Sequence, residues 1–433
     1  MTGPEGPSAS HAEDLATWRL LLRSFGTLVA GESAGRVFGL AVVVLLARHL
    51  GPAGFGLTAV GAALVQRFTL VSDAGTEILT LRNVAREPER FRELAQSILG
   101  LRIALSIAAT GIYVAGIYAF SSSPLDRGVY LRFALVLPAV ALNLRWIMLG
   151  VRGAPIIAAA NVAGHLTILL AVLLLVVPTD DVLRAPYAYA AGELVYALAV
   201  LALIAPRFGL LVPHVDLAFW RSALRESYPL MVHSLARSLP ALELALITFV
   251  LGPASAGFYS AGSRPFLFFS TAVGLFYLTF ISSYSSTSGP RAVALFRRSA
   301  RTALAVTLAA AVALTVGAGA VVPVVFGDRY SHAAPVLAIL AWQLPLGAVS
   351  APYGGLLVVE NLQRVMMRNA LVVAAFAVVG DLVAVWTVGI NGVAVMSVAA
   401  AALNLALNQR AAVSRGLAPS LRVLVQRGAT PGR

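Results

Sequence analysis

Apolar residues run along this chain in long stretches, broken by short polar or Gly/Pro-rich turns rather than alternating at the period of a surface helix. Apolar runs of about 18 residues or more mark membrane-spanning helices. They fall near 22–49, 56–80, 94–118, 129–149, 155–177 and 187–205, and again near 228–251, 257–283, 301–326, 334–359, 370–388 and 392–409. The pattern predicts an all-α polytopic membrane protein of about 12 transmembrane helices in two six-helix bundles. Charged residues lie near the ends of the 129–149 and 187–205 runs. The bundles are expected over residues 21–205 and 229–410, flanked by a disordered cytoplasmic tail at 1–20 and a basic cytoplasmic tail at 411–433. The first 18 residues carry no basic stretch leading into a cleavable apolar segment, so they read as a tail and not a signal peptide. Residues 206–228 form the expected cytoplasmic linker, where Leu217, Trp220 and Leu224 with Arg221 and Arg225 suit a short amphipathic helix at the membrane surface.

Composition sharpens this. Of 433 residues, 59% are hydrophobic and 12% charged, well beyond the roughly 45–50% apolar content of soluble domains. Little length remains for a water-soluble domain. Cysteine is absent, which excludes disulfides, thiolate metal sites and cysteine nucleophiles. No pair of histidines or acids has metal-site spacing, and no cofactor is expected. The formal charge is +13, and all 32 basic residues are arginine. In the tails, loops and adjoining span ends, 21 arginines fall on one side, against Arg48, Arg127, Arg184 and Arg329 on the other. The positive-inside rule then puts both termini in the cytoplasm, as an even number of spans requires. The cytoplasmic arginines meet anionic membrane lipids.

An internal repeat is visible at an offset of 201 residues. Leu50-Gly51-Pro52-Ala53 falls on Leu251-Gly252-Pro253-Ala254, Gly56 on Gly257, Gly61 on Gly262 and Arg36 on Arg237. Each LGPA closes the first helix of its half. Six spans per half make this a parallel repeat about an axis normal to the membrane.

The string Leu46-Ala47-Arg48-His49-Leu50-Gly51-Pro52-Ala53-Gly54-Phe55-Gly56 resembles the signature after the first helix of bacterial polysaccharide or oligosaccharide flippases. These belong to the multidrug/oligosaccharidyl-lipid/polysaccharide exporter superfamily. Four further stretches are similar to the same family: Ser72-Asp73-Ala74-Gly75, Gly257-Phe258-Tyr259-Ser260-Ala261, Val325-Phe326-Gly327-Asp328-Arg329-Tyr330 with Ala333-Ala334-Pro335, and Gly389-Ile390-Asn391-Gly392-Val393-Ala394. The last departs from the family in having Asn391 where small residues are usual. The resemblance implies a transporter of the bacterial inner membrane that moves a polyprenyl-pyrophosphate-linked glycan from the inner to the outer leaflet. It also implies working partners among the glycan polymerase and glycosyltransferases of the same pathway.

Such a substrate needs a cavity that holds a diphosphate. Arginine suits it, because its fork of donors binds phosphate oxygens bidentately and stays protonated. Arg36, Arg67 and Arg237 sit near mid-span, where insertion scales assign about 2.5–3.5 kcal/mol to each, so they should face protein or water. Arg36 has an acid, Glu32, one turn earlier on the same face; Arg237 has His233 there instead. Arg264 lies nearer the outer end of its helix and is either a release contact or an interfacial anchor. Arg132 and Arg145 lie close to span ends and are expected to snorkel. Arg102 is intermediate in depth.

Among acids within spans, Glu32, Asp73, Glu243 and Asp381 are candidates for coupling or ion pairing. Buried carboxyls can exchange protons near neutrality, as proton-coupled transport needs. Asp73 and Glu77 share one face near the cytoplasmic end and suit a solvated helix end. Glu193, His165 and His233 are further titratable groups within spans. A drug or cation exporter of the same superfamily is the competing transporter reading, disfavoured by the basic mid-span residues. A glycan polymerase or glycosyltransferase is disfavoured because the outer loops are about ten residues or shorter, too small to hold an acceptor; among them, Asp180-Asp181 reads as a solvated loop.

Overall fold

The computed structural model describes residues 9–77, 80, 83–84, 87–121, 123–150, 153–238, 242–285, 289–360 and 362–418. Every regular element among them is helical. The chain forms two compact units: residues up to His49 with Val65–Val232, and Leu50–Leu64 with residues from His233 onward.

The first unit contains most of α1 (Ala9–Asp73), then α2 (Phe91–Phe120), α3 (Pro124–Phe133), α4 (Val136–Ala141), α5 (Arg145–Gly150), α6 (Ala154–Ala171), α7 (Ala185–Phe208) and most of α8 (Leu217–Ser238). Helix α1 holds two of the apolar runs and bends between them at Gly51, where φ is 66° and ψ −180°. Only glycine enters that region without strain, and Pro52 beyond it has no N–H to continue the ladder. A π turn, Val172–Val176, extends α6.

The run at 129–149 does not form one spanning helix. It breaks into α3, α4 and α5. Pro138 has no N–H for the carbonyl of Ala134, and its ring would crowd that group; the Leu137 amide takes the Ala134 carbonyl instead, at 3.1 Å. A second break follows at Asn143, whose side chain accepts from the Arg145 amide at 2.9 Å and so starts α5.

Eight helical segments among the described residues are long and apolar enough to cross a membrane. Gly31–Asp73 covers both arms of α1; Phe91–Phe120, Ala154–Val176 and Val182–Phe208 match the runs at 94–118, 155–177 and 187–205. Phe296–Phe326, Asp328–Leu357, Arg364–Thr387 and Ile390–Val413 match the last four.

The linker differs from expectation. After Gly209 caps α7, the chain runs extended to Asp216, whose carboxylate accepts the Phe219 amide at 2.9 Å and opens α8. That helix continues into the run at 228–251 instead of stopping as a short surface helix. Trp220 and Leu224 do not face lipid: they pack with Phe219 on a core of Ile98, Leu144, Ile157 and Val200. The indole N–H of Trp220 donates to the Ser97 carbonyl at 2.9 Å. Leu217 alone of the three remains exposed.

The second unit contains α9 (Glu243–Leu251), α10 (Pro253–Ser285), α11 (Gly289–Phe326), α12 (Ala334–Leu340), α13 (Gln343–Val359), α14 (Gln363–Thr387) and α15 (Ile390–Val413). Phe296, Tyr353 and Leu405 anchor one core cluster, and Ala311, Leu314 and Leu344 another. Amides tie three of the helices together. Asn369 of α14 donates to Asn408 of α15 at 3.1 Å, and Asn404 donates to Ser350 of α13 at 3.3 Å. Hydrogen bonds between helices replace the hydrophobic drive that lipid cannot supply.

Candidate functional site

The motif residues meet one another in the second unit. Tyr330 packs edge-on to Phe55 and Phe258, both with ring centroids 6.1 Å away, and lies 5.9 Å from Phe326. The two LGPA turns cross there. A Cβ on Gly56 would fall 1.9 Å from the Pro253 carbonyl oxygen, and one on Gly257 would fall 2.0 Å from that of Pro52. Both turns use one backbone geometry, since Gly252 has φ 86° and ψ 167°, close to Gly51. Helices that cross so tightly need glycine on each side, which explains why the repeat shows in the sequence as glycines and prolines.

Charged side chains gather inside the first unit. Arg102 of α2 binds the Asp73 carboxylate at 3.1 Å, with side chains only 5% and 15% exposed. Asp73 is therefore not the solvated helix end its spacing suggested. The backbone amides of Gly75 and Glu77 lie near its carboxylate where α1 ends, and Ala74 there has a positive φ of 48°. Arg145 does not snorkel freely; it binds Glu32 across 113 residues of sequence. Glu77 lies within electrostatic reach of Asp73, Arg102 and Arg145. Tyr196 lies within electrostatic reach of Arg145, Glu193, Glu32 and Glu77, and its hydroxyl is buried with no hydrogen-bond partner among the described residues. Asn161 donates to the Gly31 carbonyl at 3.0 Å, its own carbonyl contacts His165 Nδ1 at 3.0 Å, and His165 lies within reach of Glu193. A polar track of paired and single titratable groups thus runs through α1, α2, α5, α6 and α7.

Arg36 stands apart from this track. Its side chain is exposed, and the acid one turn before it, Glu32, is taken by Arg145. The Glu32–Arg36 ladder that the spacing allows is not made. Arg67 is half-buried and donates weakly to Gln66 at 3.4 Å. Arg264 is half-buried on α10. Arg237 lies on α8, with its side chain, like that of His233, outside the described residues.

In the second unit, Glu243 accepts from the Ser397 hydroxyl at 3.0 Å, and Ser397 Oγ lies 3.3 Å from the Tyr259 hydroxyl. Asp381 is buried within electrostatic reach of Tyr259, and its Oδ1 has no hydrogen-bond partner among the described residues. The two acids come together through α9, α10, α14 and α15. Ser397 and Tyr259 escaped sequence reasoning, because a serine in an Ala-rich helix and a motif tyrosine carry no signal of a carboxylate partner. No group of three or more metal-ligating side chains occurs among the described residues.

Beyond the first arm of α1 and the end of α6, His49 meets Asp180 at 3.0 Å, and Asp181 caps a turn through the Leu183 amide at 2.9 Å. Asp181 is spent locally and Asp180 on a residue 131 positions away, both at an exposed loop.

A family model for polysaccharide biosynthesis proteins matches residues 21–277. No curated protein gives a significant match. Solved structures share the fold at low identity. The lipid II flippase MurJ in an inward closed conformation aligns with a TM-score of 0.75 and 14% identity, covering 92% of this chain and 89% of that one. An inward-facing multidrug resistance transporter of the MATE family aligns with a TM-score of 0.69 and 14% identity, covering 93% and 100%. A transporter of the same superfamily from Pyrococcus furiosus aligns with a TM-score of 0.61 and 15% identity, covering 94% and 96%. With its family match spanning more than half the sequence, the chain belongs to the polysaccharide biosynthesis protein family and has the fold of the multidrug/oligosaccharidyl-lipid/polysaccharide exporter superfamily.

Proposed function

We propose that this protein is a flippase that carries a polyprenyl-pyrophosphate-linked oligosaccharide from the cytoplasmic to the outer leaflet by alternating access, serving cell-surface polysaccharide synthesis. The observation that carries this reading is Arg36: a mid-helix guanidinium, exposed in a span of high hydropathy, whose neighbouring acid is committed to Arg145. Facing lipid, it would cost about 2.5–3.5 kcal/mol. A water-filled route with an anionic passenger removes that cost. Arg67, Arg264 and Arg237, the last in register with Arg36 at the 201-residue offset, complete the diphosphate-binding set in this reading. About 12 spans in two parallel six-helix repeats account for the matched backbone of Gly51 and Gly252. The arginine-rich loops and tails orient both termini to the cytoplasm of the bacterial inner membrane.

Coupling is assigned to protons. Glu243 and Asp381 share the Ser397–Tyr259 cluster, while Glu32 and Asp73 serve as fixed partners of arginine in the first unit.

The test is export of the lipid-linked glycan in a strain that depends on this protein, with membrane levels matched by immunoblot. Arg36→Ala and Arg237→Ala should each reduce export at least about tenfold, equivalent to about 1.4 kcal/mol, and Arg36→Lys should recover part of it. Wild-type export by both alanine variants would remove the arginine-cavity reading. Vesicles that pump a cationic dye and ignore the lipid-linked glycan would favour the drug exporter instead.

A further inference from the structure

The linker between α7 and α8 is not a loose connection. Its His214 amide donates to the Gln96 carbonyl at 3.0 Å, and its His214 carbonyl oxygen would lie 2.3 Å from a Cβ on Gly100. The strap therefore lies along the first ten residues of α2, about 15 Å of helix, at the start of a segment long and apolar enough to cross a membrane.

One side of the strap is buried and the other is not. Leu211, Phe219, Trp220 and Leu224 pack inward on the core of the first unit. Leu210, Val212, Val215 and Leu217 point away, 77%, 63%, 66% and 70% exposed. On α8, Leu217, Arg221 and Arg225 recur at four-residue spacing and so share one face; Arg221, Arg225 and nearby Tyr228 are all exposed.

At the strap's root, Phe91 stacks on Phe208 with centroids 3.9 Å apart. That contact brings their chain neighbours Arg92 and Arg207 to one rim, where the Arg92 guanidinium lies beside Gly209. Neighbouring acids are occupied: Glu87 and Glu93 hold Arg90, and Asp216 caps α8. Arg92, Arg207, Arg221 and Arg225 are exposed and make no ion pair among the described residues.

An apolar edge beside the start of an apolar span, set among four guanidinia that make no ion pair among the described residues, Arg207 over the Phe208 ring, matches an anionic phospholipid: phosphodiester to arginine, acyl chain to the aliphatic row. We propose that this strap and the outer face of α8 are a docking surface for anionic phospholipids of the leaflet on the arginine-rich side. The proposal stands whether or not the flippase reading holds.

The test uses the full-length protein in nanodiscs of phosphatidylglycerol and phosphatidylcholine, with co-purifying lipid counted by mass spectrometry. Replacing Arg92, Arg207, Arg221 and Arg225 with Gln should lower the preference for phosphatidylglycerol about tenfold. A control with the same charge removed elsewhere, Arg298, Arg364, Arg368 and Arg410 to Gln, should change it less than about twofold. Equal loss in both variants, or no loss in the first, overturns the proposal.

A second measurement does not depend on the fourfold variant folding. The chain has no cysteine, so Val212→Cys carries a single environment-sensitive dye. In phosphatidylglycerol vesicles its emission should shift to the blue and resist quenching by aqueous iodide. A fully water-exposed dye in those vesicles overturns the proposal equally.

Discussion

Arginines in apolar helices meet different fates in this molecule, and the partner decides which. Arg102 is paired with Asp73 in a nearly closed setting, while Arg36 is exposed and its nearest acid is engaged elsewhere. Breaking a buried pair from one side strands the other charge, which costs about 3–5 kcal/mol. Arg102→Ala should therefore lower the thermal unfolding temperature of the detergent-purified protein more than any other single arginine replacement in the first unit. Adding Asp73→Asn should restore much of the loss, since no uncompensated carboxylate then remains. A double variant no more stable than Arg102→Ala would show that the guanidinium's packing matters and not the charge pair. Sequence spacing pointed to Glu32–Arg36 and to a solvated Asp73, because helical periodicity reports only neighbours within one helix. The actual partners, Arg145 and Arg102, come from other helices, and an interhelical pair separated by 113 residues leaves no local trace.

At the scale of the helix, glycine and proline placement was the readable layer. The LGPA turns and the long runs were legible because each acts on its own backbone. The split of 129–149 was not, since Pro138 sits inside an unbroken apolar run. The closest glycine contacts imply a ranking. Gly56→Ala and Gly257→Ala each place a methyl about 2 Å from a proline carbonyl oxygen, closer than any relaxation of a packed pair tolerates. Each should destabilise by at least about 1–3 kcal/mol, read as a fall in unfolding temperature and in folded yield. Gly111→Ala, on an open helical surface with nothing within 4 Å, should be neutral or stabilise by up to about 1 kcal/mol. Reversed ranking of these variants would mean that the turn crossing does not hold the second unit together.

For the whole molecule, the proposed cargo rests on charge and the proposed direction on topology. The family and fold are those of polysaccharide biosynthesis proteins and their superfamily, and both were anticipated by five short motifs in order. What the motifs do is pack: Phe55, Phe258, Phe326 and Tyr330 build a shared aromatic cluster. They build the scaffold and carry no signal of a cargo. Topology can be read directly because the protein has no cysteine background. Single cysteines at Asp181 and Ser331 should react with an impermeant maleimide in intact cells, whereas cysteines at Glu89 and Ala418 should react only after lysis. The opposite pattern would invert the orientation and with it the direction of flipping. If the Glu243–Ser397–Tyr259 cluster and Asp381 carry the proton, then collapsing the proton gradient in vesicles should slow wild-type flipping severalfold. Asp381→Asn and Glu243→Gln, which cannot exchange that proton, should flip at a low rate that no longer responds to the gradient. Gradient sensitivity that survives in both variants would move coupling away from this cluster and towards the polar track of the first unit, where Glu193 lies within electrostatic reach of both Tyr196 and His165.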